Sequence, residues 1–249
     1  MSSATRDPAD SDAAPDDGAA HPHGSFFGRR KGHKLRLHQA DLIEHLLPRL
    51  SLDIGSPRPP DLADLAGLFD PPAEGVRLEI GFGGGEHLIA EAQAFPLLGF
   101  IGCEPYVNGM AKILAQIEAH TIGNIRLFAG DAAELLAWVP PHSLARIDLI
   151  HPDPWPKRRH WKRRFVQDAT IAAMARALAR GGEFRFVSDI SDYCAWTLAH
   201  LSRSTDFIWT AERADDWRLP WTGYTMTRYG RKAEREGRRA AYLRFRKIG

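Results

Sequence analysis

Cysteine is nearly absent: the 249-residue chain has only Cys103 and Cys194. Neither belongs to a C-x-x-C pair, so neither a disulfide framework nor a cysteine zinc site is expected. Such usage fits a reducing cytoplasm, which is the expected location. Long apolar runs are missing as well. The longest clean one, residues 97–103, has the length of a strand and falls well short of a membrane span. The first residues carry no apolar segment of the secretory type, so no signal peptide is expected. The eleven histidines are scattered, and no metal site is expected. What remains is an ordinary composition, 44% hydrophobic and 26% charged, enough for one large α/β domain or two small ones.

Charge is present but unevenly placed. Residues 1–24 carry Asp7, Asp10, Asp12, Asp16 and Asp17 against Arg6 alone, and no aromatic residue. With so little to bury, this stretch is expected to be a disordered acidic tail. The overall charge of +2 therefore leaves a basic body of +6. Residues 25–38 form a basic arm containing two phenylalanines. Residues 39–70 read as short helices broken around Pro57, Pro59 and Pro60. The catalytic domain is expected over 71–249, preceded by the arm and short helices of 25–70. No internal repeat is present, and the oligomeric state stays open.

From residue 76 short apolar runs alternate with amphipathic segments of helix length. Strands are expected near 76–81, 97–103, 124–129, 146–151, 182–188 and 207–212. Helices are expected near 85–94, 107–120, 131–138, 164–180 and 190–203. Gly181-Gly182 is expected to cap the fourth of these helices. A last strand is expected near 240–247. The alternation predicts an α/β, Rossmann-like, doubly wound and mostly parallel sheet. Ligands bind such sheets beyond the carboxyl ends of the strands. Chemistry is therefore sought in the residues just after each strand.

After the first strand stands Glu79-Ile80-Gly81-Phe82-Gly83-Gly84-Gly85-Glu86. Glycine lets the backbone turn sharply and approach a ligand. A dinucleotide fingerprint would need glycine where Glu86 stands, and a carboxylate there would repel a pyrophosphate. The loop suits a nucleoside without phosphates, with Glu79 free to meet a cationic end. A plain tight turn is the other reading. After the second strand comes Glu104, placed to take both hydroxyls of a ribose. After the third comes Asp131, which can cap a helix, accept from an adenine amino group, or do both. After the fourth comes His151-Pro152-Asp153-Pro154-Trp155-Pro156-Lys157. Its prolines hold the segment extended and rigid. A fixed carboxylate beside an aromatic plane suits recognition of a flat base.

Six of the next eight residues, 157–164, are Lys or Arg, with Trp161 among them. A charge run is often only a solvated face. Next to the proposed site and interleaved with an aromatic, it fits contact with an RNA backbone. Residues 228–247 add nine more Lys or Arg against Glu234 and Glu236. His151 and His160 read as packing or RNA-contact residues.

These stretches resemble one family: the bacterial tRNA (guanine-N7)-methyltransferases of the class I methyltransferase fold. The resemblance covers roughly residues 25–247. It is carried by Leu78-Glu79-Ile80-Gly81-Phe82-Gly83, by Pro152-Asp153-Pro154-Trp155-Pro156-Lys157-Arg158-Arg159-His160 with Lys162-Arg163-Arg164, and by Ser188-Asp189. It implies S-adenosyl-L-methionine as cofactor and tRNA as partner, with methyl transfer to N7 of a guanine in the variable loop. It implies that Glu79, Glu104, Asp131 and Asp153, with loop glycines Gly81 and Gly83, bind the cofactor. Asp153 would be catalytic. Lys157, Asp189 and Thr227, with Arg158 and Arg159, would bind the substrate. The sequence departs from the family pattern twice. Thr227-Arg228-Tyr229-Gly230 stands where Thr-x-x-Glu is usual, and His151 stands where an aromatic residue is frequent. Whether Glu234 replaces the missing carboxylate stays open.

Three other readings compete. A methyltransferase for proteins or metabolites leaves the basic, Trp-bearing stretch unexplained. An NAD-dependent oxidoreductase conflicts with Glu86. A noncatalytic RNA-binding module has no need of the four acids.

Overall fold

In a computed structural model the described residues are 27–28, 30–55 and 65–249. The acidic stretch 1–24, Ser25 of the arm, and Pro57, Pro59 and Pro60 lie outside them. The elements run α1 (Leu37–His45), α2 (Leu47–Leu50), β1 (Val76–Ile80), α3 (Glu86–Ala94), β2 (Gly99–Cys103), α4 (Val107–His120), β3 (Ile125–Phe128) and α5 (Ala132–Trp138). There follow β4 (Leu144–Ile150), α6 (Asp168–Ala177), β5 (Leu178–Ser188), α7 (Ser191–Leu201), β6 (Phe207–Trp209), α8 (Asp215–Arg218), α9 (Arg228–Arg235) and β7 (Ala241–Lys247).

The strands form one seven-stranded sheet in the order β3-β2-β1-β4-β5-β7-β6. The β1, β2, β3, β4 and β5 ladders are parallel, and β7 pairs antiparallel with both β5 and β6. This is the doubly wound sheet with a final antiparallel strand that the alternation predicts. Chain order reverses between β1 and β4, which opens a crevice at their carboxyl ends.

Strand alternation sorts side chains to two faces. Leu78, Ile80, Ile101, Ile147 and Leu149 meet α5, α6 and α7 in one buried core. Phe100, Ile125 and Leu127 meet α1, α3 and α4 in the other. On α4, Met110, Ile113, Leu114 and Ile117 recur at helical spacing and are all buried. The even positions of β1 therefore face one core, and Arg77 and Glu79 face α3. There they meet partners: Arg77 Nη1 lies 2.8 Å from Glu91 Oε2, and Glu79 Oε2 lies 2.8 Å from His87 Nδ1. Arg146 on β4 bonds to both Glu91 and Asp148.

Some boundaries differ from the sequence reading. The expected helix 164–180 is shorter, because a 3-10 segment occupies Arg158–Arg163 and α6 ends at Ala177. Gly181-Gly182 is not its cap. The helix stops on Leu178 in extended conformation, and the glycines lie inside β5. The ladder register jumps there, from Leu144↔Leu178 to Arg146↔Glu183. Gly181 takes φ +79°, and a Cβ on Gly182 would sit 2.9 Å from the Ala179 carbonyl oxygen. The pair thus makes a bulge in which two backbones come close. β6 stops after three residues, and α8 and α9 were not expected.

Close packing of α3 on β2 has a measurable consequence. A Cβ on Gly102 would lie 2.6 Å from Leu88 Cδ2 and 2.9 Å from Phe82 Cδ1. Gly102→Ala should cost about 1–3 kcal/mol by overpacking. Gly123, whose added Cβ meets nothing within 4 Å, is the control. Urea unfolding should show a lowered midpoint for Gly102→Ala and none for Gly123→Ala.

Candidate active site at the carboxyl edge of the sheet

Three loops leave the sheet on a backbone hydrogen bond that extends the ladder by one residue. Gly81 N donates to Cys103 O at 2.8 Å, Glu104 N to Phe128 O at 3.0 Å, and His151 N to Val187 O at 2.8 Å. The first residues of three loops are thereby fixed at one edge.

The glycine loop turns through left-handed φ at Gly81 (+69°), Gly83 (+59°) and Gly85 (+85°), which only glycine adopts at little cost. Glu104 ties this loop to the next element. Its Oε2 accepts from Gly83 N at 2.8 Å and its Oε1 accepts from Tyr106 N at 3.0 Å. Each oxygen keeps a lone pair, so the carboxylate can still accept two hydroxyls on neighbouring carbons. Burial pushes the Glu104 carboxyl up, the two backbone donors work against that, and Asp153 raises it further. Gly109 on α4 lets the loop lie close, since a Cβ there would collide with the Gly83 carbonyl. Asp131 caps α5, its Oδ1 accepting from Ala133 N at 2.9 Å.

Glu79 is 3% exposed, and its carboxylate is already bonded to His87. Burial raises the carboxyl while His87 opposes it, and Glu79 in turn holds the His87 ring above its ordinary value despite burial. The His87 ring lies tilted against Tyr224, with centroids 5.7 Å apart. Glu79 is therefore not free, because the histidine eight residues on, in the first turn of α3, faces it.

The segment after β4 is bracketed by two non-glycine residues in left-handed conformation, His151 (φ +49°) and Trp155 (φ +43°). Such residues cost about 1–3 kcal/mol each and persist where surrounding contacts over-determine them. Here the contact is Arg164. Its Nε donates to Pro154 O at 2.9 Å, and Nη2 pairs with Asp192 on α7. The guanidinium lies 4.9 Å from the Trp161 ring, 5.0 Å from Tyr193 and 5.1 Å from Trp196. It is 2% exposed. Arg164 is thus an internal anchor, not part of an RNA-facing run. Arg163 lies 5.0 Å from both the Trp155 and Phe27 rings, which docks the arm beside this loop. Lys157, Arg158, Arg159 and Lys162 are exposed. Asp153 is open to solvent at the rim, yet enough protein surrounds it that lost hydration pushes its carboxyl up.

Asp189, just after β5, is held from two sides. His151 Nδ1 lies 3.1 Å from Oδ1 and Arg238 Nε 2.6 Å from Oδ2. Burial works the other way, but these bonds keep the carboxyl below its usual range. Thr227 caps α9, its hydroxyl accepting from Gly230 N at 3.2 Å. The first turn of α9 crosses the edge. A Cβ on Gly83 would lie 3.5 Å from Arg228 Nη2 and from Tyr229 Cε2. The edge thus brings together Gly83, Glu104, Asp153, Thr227 and Asp189, with Arg228, Tyr229 and Arg238 added. Asp131 and Glu79 flank it, and Arg158, Arg159 and Lys157 lie on its outer rim. α9 carries a sequence signal of its own: the capping Thr227, and Gly237 with φ +72° just past its end. Arg238 carried none, because its partner is 49 residues away.

The arm reaches α4 as well. Val107 N donates to Arg30 O at 3.0 Å, Gly32 N to Asn108 Oδ1 at 2.8 Å, and Asn108 Nδ2 to His33 O at 2.7 Å. Among the described residues, no group of His, Cys, Asp or Glu is placed to hold a metal, and no helix is long and apolar enough to cross a membrane.

Residues 73–243 match a family model described as a putative methyltransferase. A protein of Nitrobacter hamburgensis named tRNA (guanine-N(7)-)-methyltransferase is 72% identical, covering 99% of this chain and 97% of its own. A protein of the same name from Rhodopseudomonas palustris strain BisB18 is 76% identical over 97% of this chain and 94% of its own. One from Bradyrhizobium diazoefficiens is 77% identical over 90% and 93%.

If Arg164 holds the Pro152–Pro156 segment, Arg164→Met should release it. Loss of the buried bonds and of packing among three aromatics should cost roughly 3 kcal/mol. The thermal midpoint should fall, and turnover should fall further than folding alone explains. Full turnover at a temperature where the variant is folded would remove this anchoring role.

Proposed function

The chain belongs to the tRNA (guanine-N(7)-)-methyltransferase family, and from that premise we propose how its sheet edge performs the reaction and where it acts. The enzyme transfers a methyl group from S-adenosylmethionine to N7 of a guanine in tRNA. We place the target in the variable loop and the enzyme in the cytoplasm. Residues 71–249 carry the chemistry, and 25–70 add the basic arm.

The residues fit the cofactor. Glu104 offers two backbone-pinned oxygens to ribose hydroxyls. Gly81 and Gly83 leave room for close approach. Asp131 keeps a carboxylate oxygen beyond its cap bond for an adenine amino group. Glu79 sets negative charge, shared with His87, beneath the glycine loop, where a cationic end would rest. When bound, S-adenosylmethionine supplies a methyl carbon made electrophilic by its sulfonium.

The observation that carries the reading is the placement of Asp153. It stands at the switch point, in a segment locked by prolines and Arg164, close enough to Glu104 to raise its pKa. Guanine N7 has an in-plane lone pair and no proton, so transfer needs no general base. Asp153 holds the guanine and favours the positive charge that grows on its ring. Asp189 and Thr227 orient the base, and Lys157, Arg158 and Arg159 meet the RNA. The four acids belong to one reacting centre, which separates this reading from a noncatalytic RNA binder.

The direct test is transfer from labelled S-adenosylmethionine to unmodified tRNA, mapped by cleavage specific for 7-methylguanosine. One cleavage, in the variable loop, is expected. Transfer without that cleavage would refute N7 as the target.

Asp153→Asn should lower turnover by at least tenfold while cofactor affinity changes little. Wild-type turnover should fall as pH drops through the raised Asp153 carboxyl, because the protonated acid no longer favours cationic guanine. That acid limb should be absent from Asp153→Asn. Full activity of the variant would exclude the electrostatic role.

The exposed cations give a separate expectation. Replacing Arg158, Arg159 and Lys162 with Gln should reduce the salt slope of tRNA binding by about 0.7–0.9 for each phosphate no longer neutralised. An unchanged slope would make the run a solvated face.

A further inference from the structure

His151, just after β4, and Gly230, in the first turn of α9, meet in space. A Cβ built on Gly230 would lie 3.3 Å from His151 Nε2 and would collide with Met226 Sδ. The imidazole therefore points its Nε2 at the first turn of α9, and the Met226 thioether fills the place of a side chain at 230. The ring is 4% exposed, and Nε2 has no hydrogen-bond partner among the described residues.

The chemistry of that nitrogen is settled by its neighbour. Asp189, held ionised by Arg238, can only accept a hydrogen bond. The ring proton must therefore sit on Nδ1, which donates to Asp189 Oδ1 at 3.1 Å. Burial lowers the ring's own pKa and keeps it neutral near pH 7. Nε2 thus presents a bare lone pair. A thioether gives it no hydrogen bond, so the free protein leaves a buried acceptor unsatisfied and bears its desolvation cost. Met226 is unbranched and half-buried, a cover that can swing aside.

Location suggests what would satisfy it. Arg228 and Tyr229 lie over Gly83, and Gly230 lies over His151. The same first turn of α9 thus borders both the glycine loop and the orphan nitrogen. With N7 directed toward the glycine loop and Asp153, the opposite end of guanine carries N1–H and the exocyclic amino group. Both are donors.

Resting on the family reading above, we propose that His151 is a specificity-determining residue of this enzyme. Its Nε2 accepts a hydrogen bond from the N1–H or amino edge of the target guanine. Asp189 and Arg238 are positioning residues that fix the ring's tautomer and angle, and Met226 is the cover the base displaces. Adenine presents a bare acceptor at N1 and is disfavoured by the same lone pair.

The test uses full-length enzyme and tRNA carrying guanosine, inosine or 1-methylguanosine at the target position. Inosine lacks the amino donor and 1-methylguanosine lacks N1–H, and both keep N7. Wild-type kcat/KM should fall at least tenfold for one of the two analogues, because a buried acceptor would be left unpaired. This part needs no variant to fold. His151→Phe should lose at least tenfold on guanosine, through KM for tRNA, with cofactor affinity unchanged. It should treat the sensitive analogue and guanosine alike. Equal use of all three bases by the wild-type enzyme would overturn the proposal, as would undiminished discrimination by a folded His151→Phe. Failure of the wild-type enzyme to methylate guanosine-bearing tRNA at N7 would instead refute the family reading.

Discussion

The site depends on the last rung of a parallel ladder. Where β1, β2 and β4 end, their carboxyl-terminal neighbours still find a partner on the adjacent strand, at Gly81, Glu104 and His151. A buried peptide group left unpaired there would cost as much as a lost hydrogen bond. The sheet therefore dictates where each loop departs and which way it faces. Side chains one to three residues on inherit that precision without needing a rigid loop of their own. The carboxylate of Glu104 then passes the constraint onward, pinning the glycine loop from one side and the entry to α4 from the other.

Positive charge in this chain has two unlike uses. Arg77, Arg146 and Arg164 are inside and each meets a carboxylate. Where both sides are buried, as for Arg146 with Glu91 and Asp148, removing one partner is costly because the other is left desolvated. Arg158, Arg159 and Lys162 are outside, where an isolated pair would contribute little and a polyanion could gather all three. The run 157–164 looks uniform as text. It divides because a 3-10 turn places Arg164 against Trp161, Tyr193 and Trp196 and Arg163 against Trp155 and Phe27, while Lys157, Arg158, Arg159 and Lys162 face solvent.

What could be read from the sequence was local. Strand and helix alternation gave the doubly wound sheet, and the acids after each strand gave an edge of the right composition. Asp131 as a helix cap follows from one residue and its neighbours. What could not be read depends on residues brought together from far apart. His87 shares the charge of Glu79 because strand alternation turns Glu79 toward α3. Arg238 reaches Asp189 only because β7 returns antiparallel along β5. Gly181-Gly182 misled for a physical reason: glycine serves a helix end and a β-bulge equally well, and only the Ala145 and Ala179 carbonyls crowding Gly182 decide between them.

Charge conservation limits what the acids at the edge can do for the chemical step. Methyl transfer moves one positive charge from donor to base and leaves their sum unchanged. A carboxylate equally near both attracts the ground state and the transition state alike, and such uniform binding does not raise turnover. On the roles proposed above, Glu79 and Glu104 therefore contribute to holding the cofactor. Only a carboxylate nearer the base than the donor gains as the charge moves. The proposal gives that part to Asp153, whose loop leaves the sheet on the far side of the switch point from Gly83 and Glu104. The protein around Asp153, which already pushes its carboxyl up, strengthens its interaction with charge that arrives. On that proposal, the strain at His151 and Trp155 and the buried cation at Arg164 have one purpose in common: they hold that carboxylate where the charge will be rather than where it began.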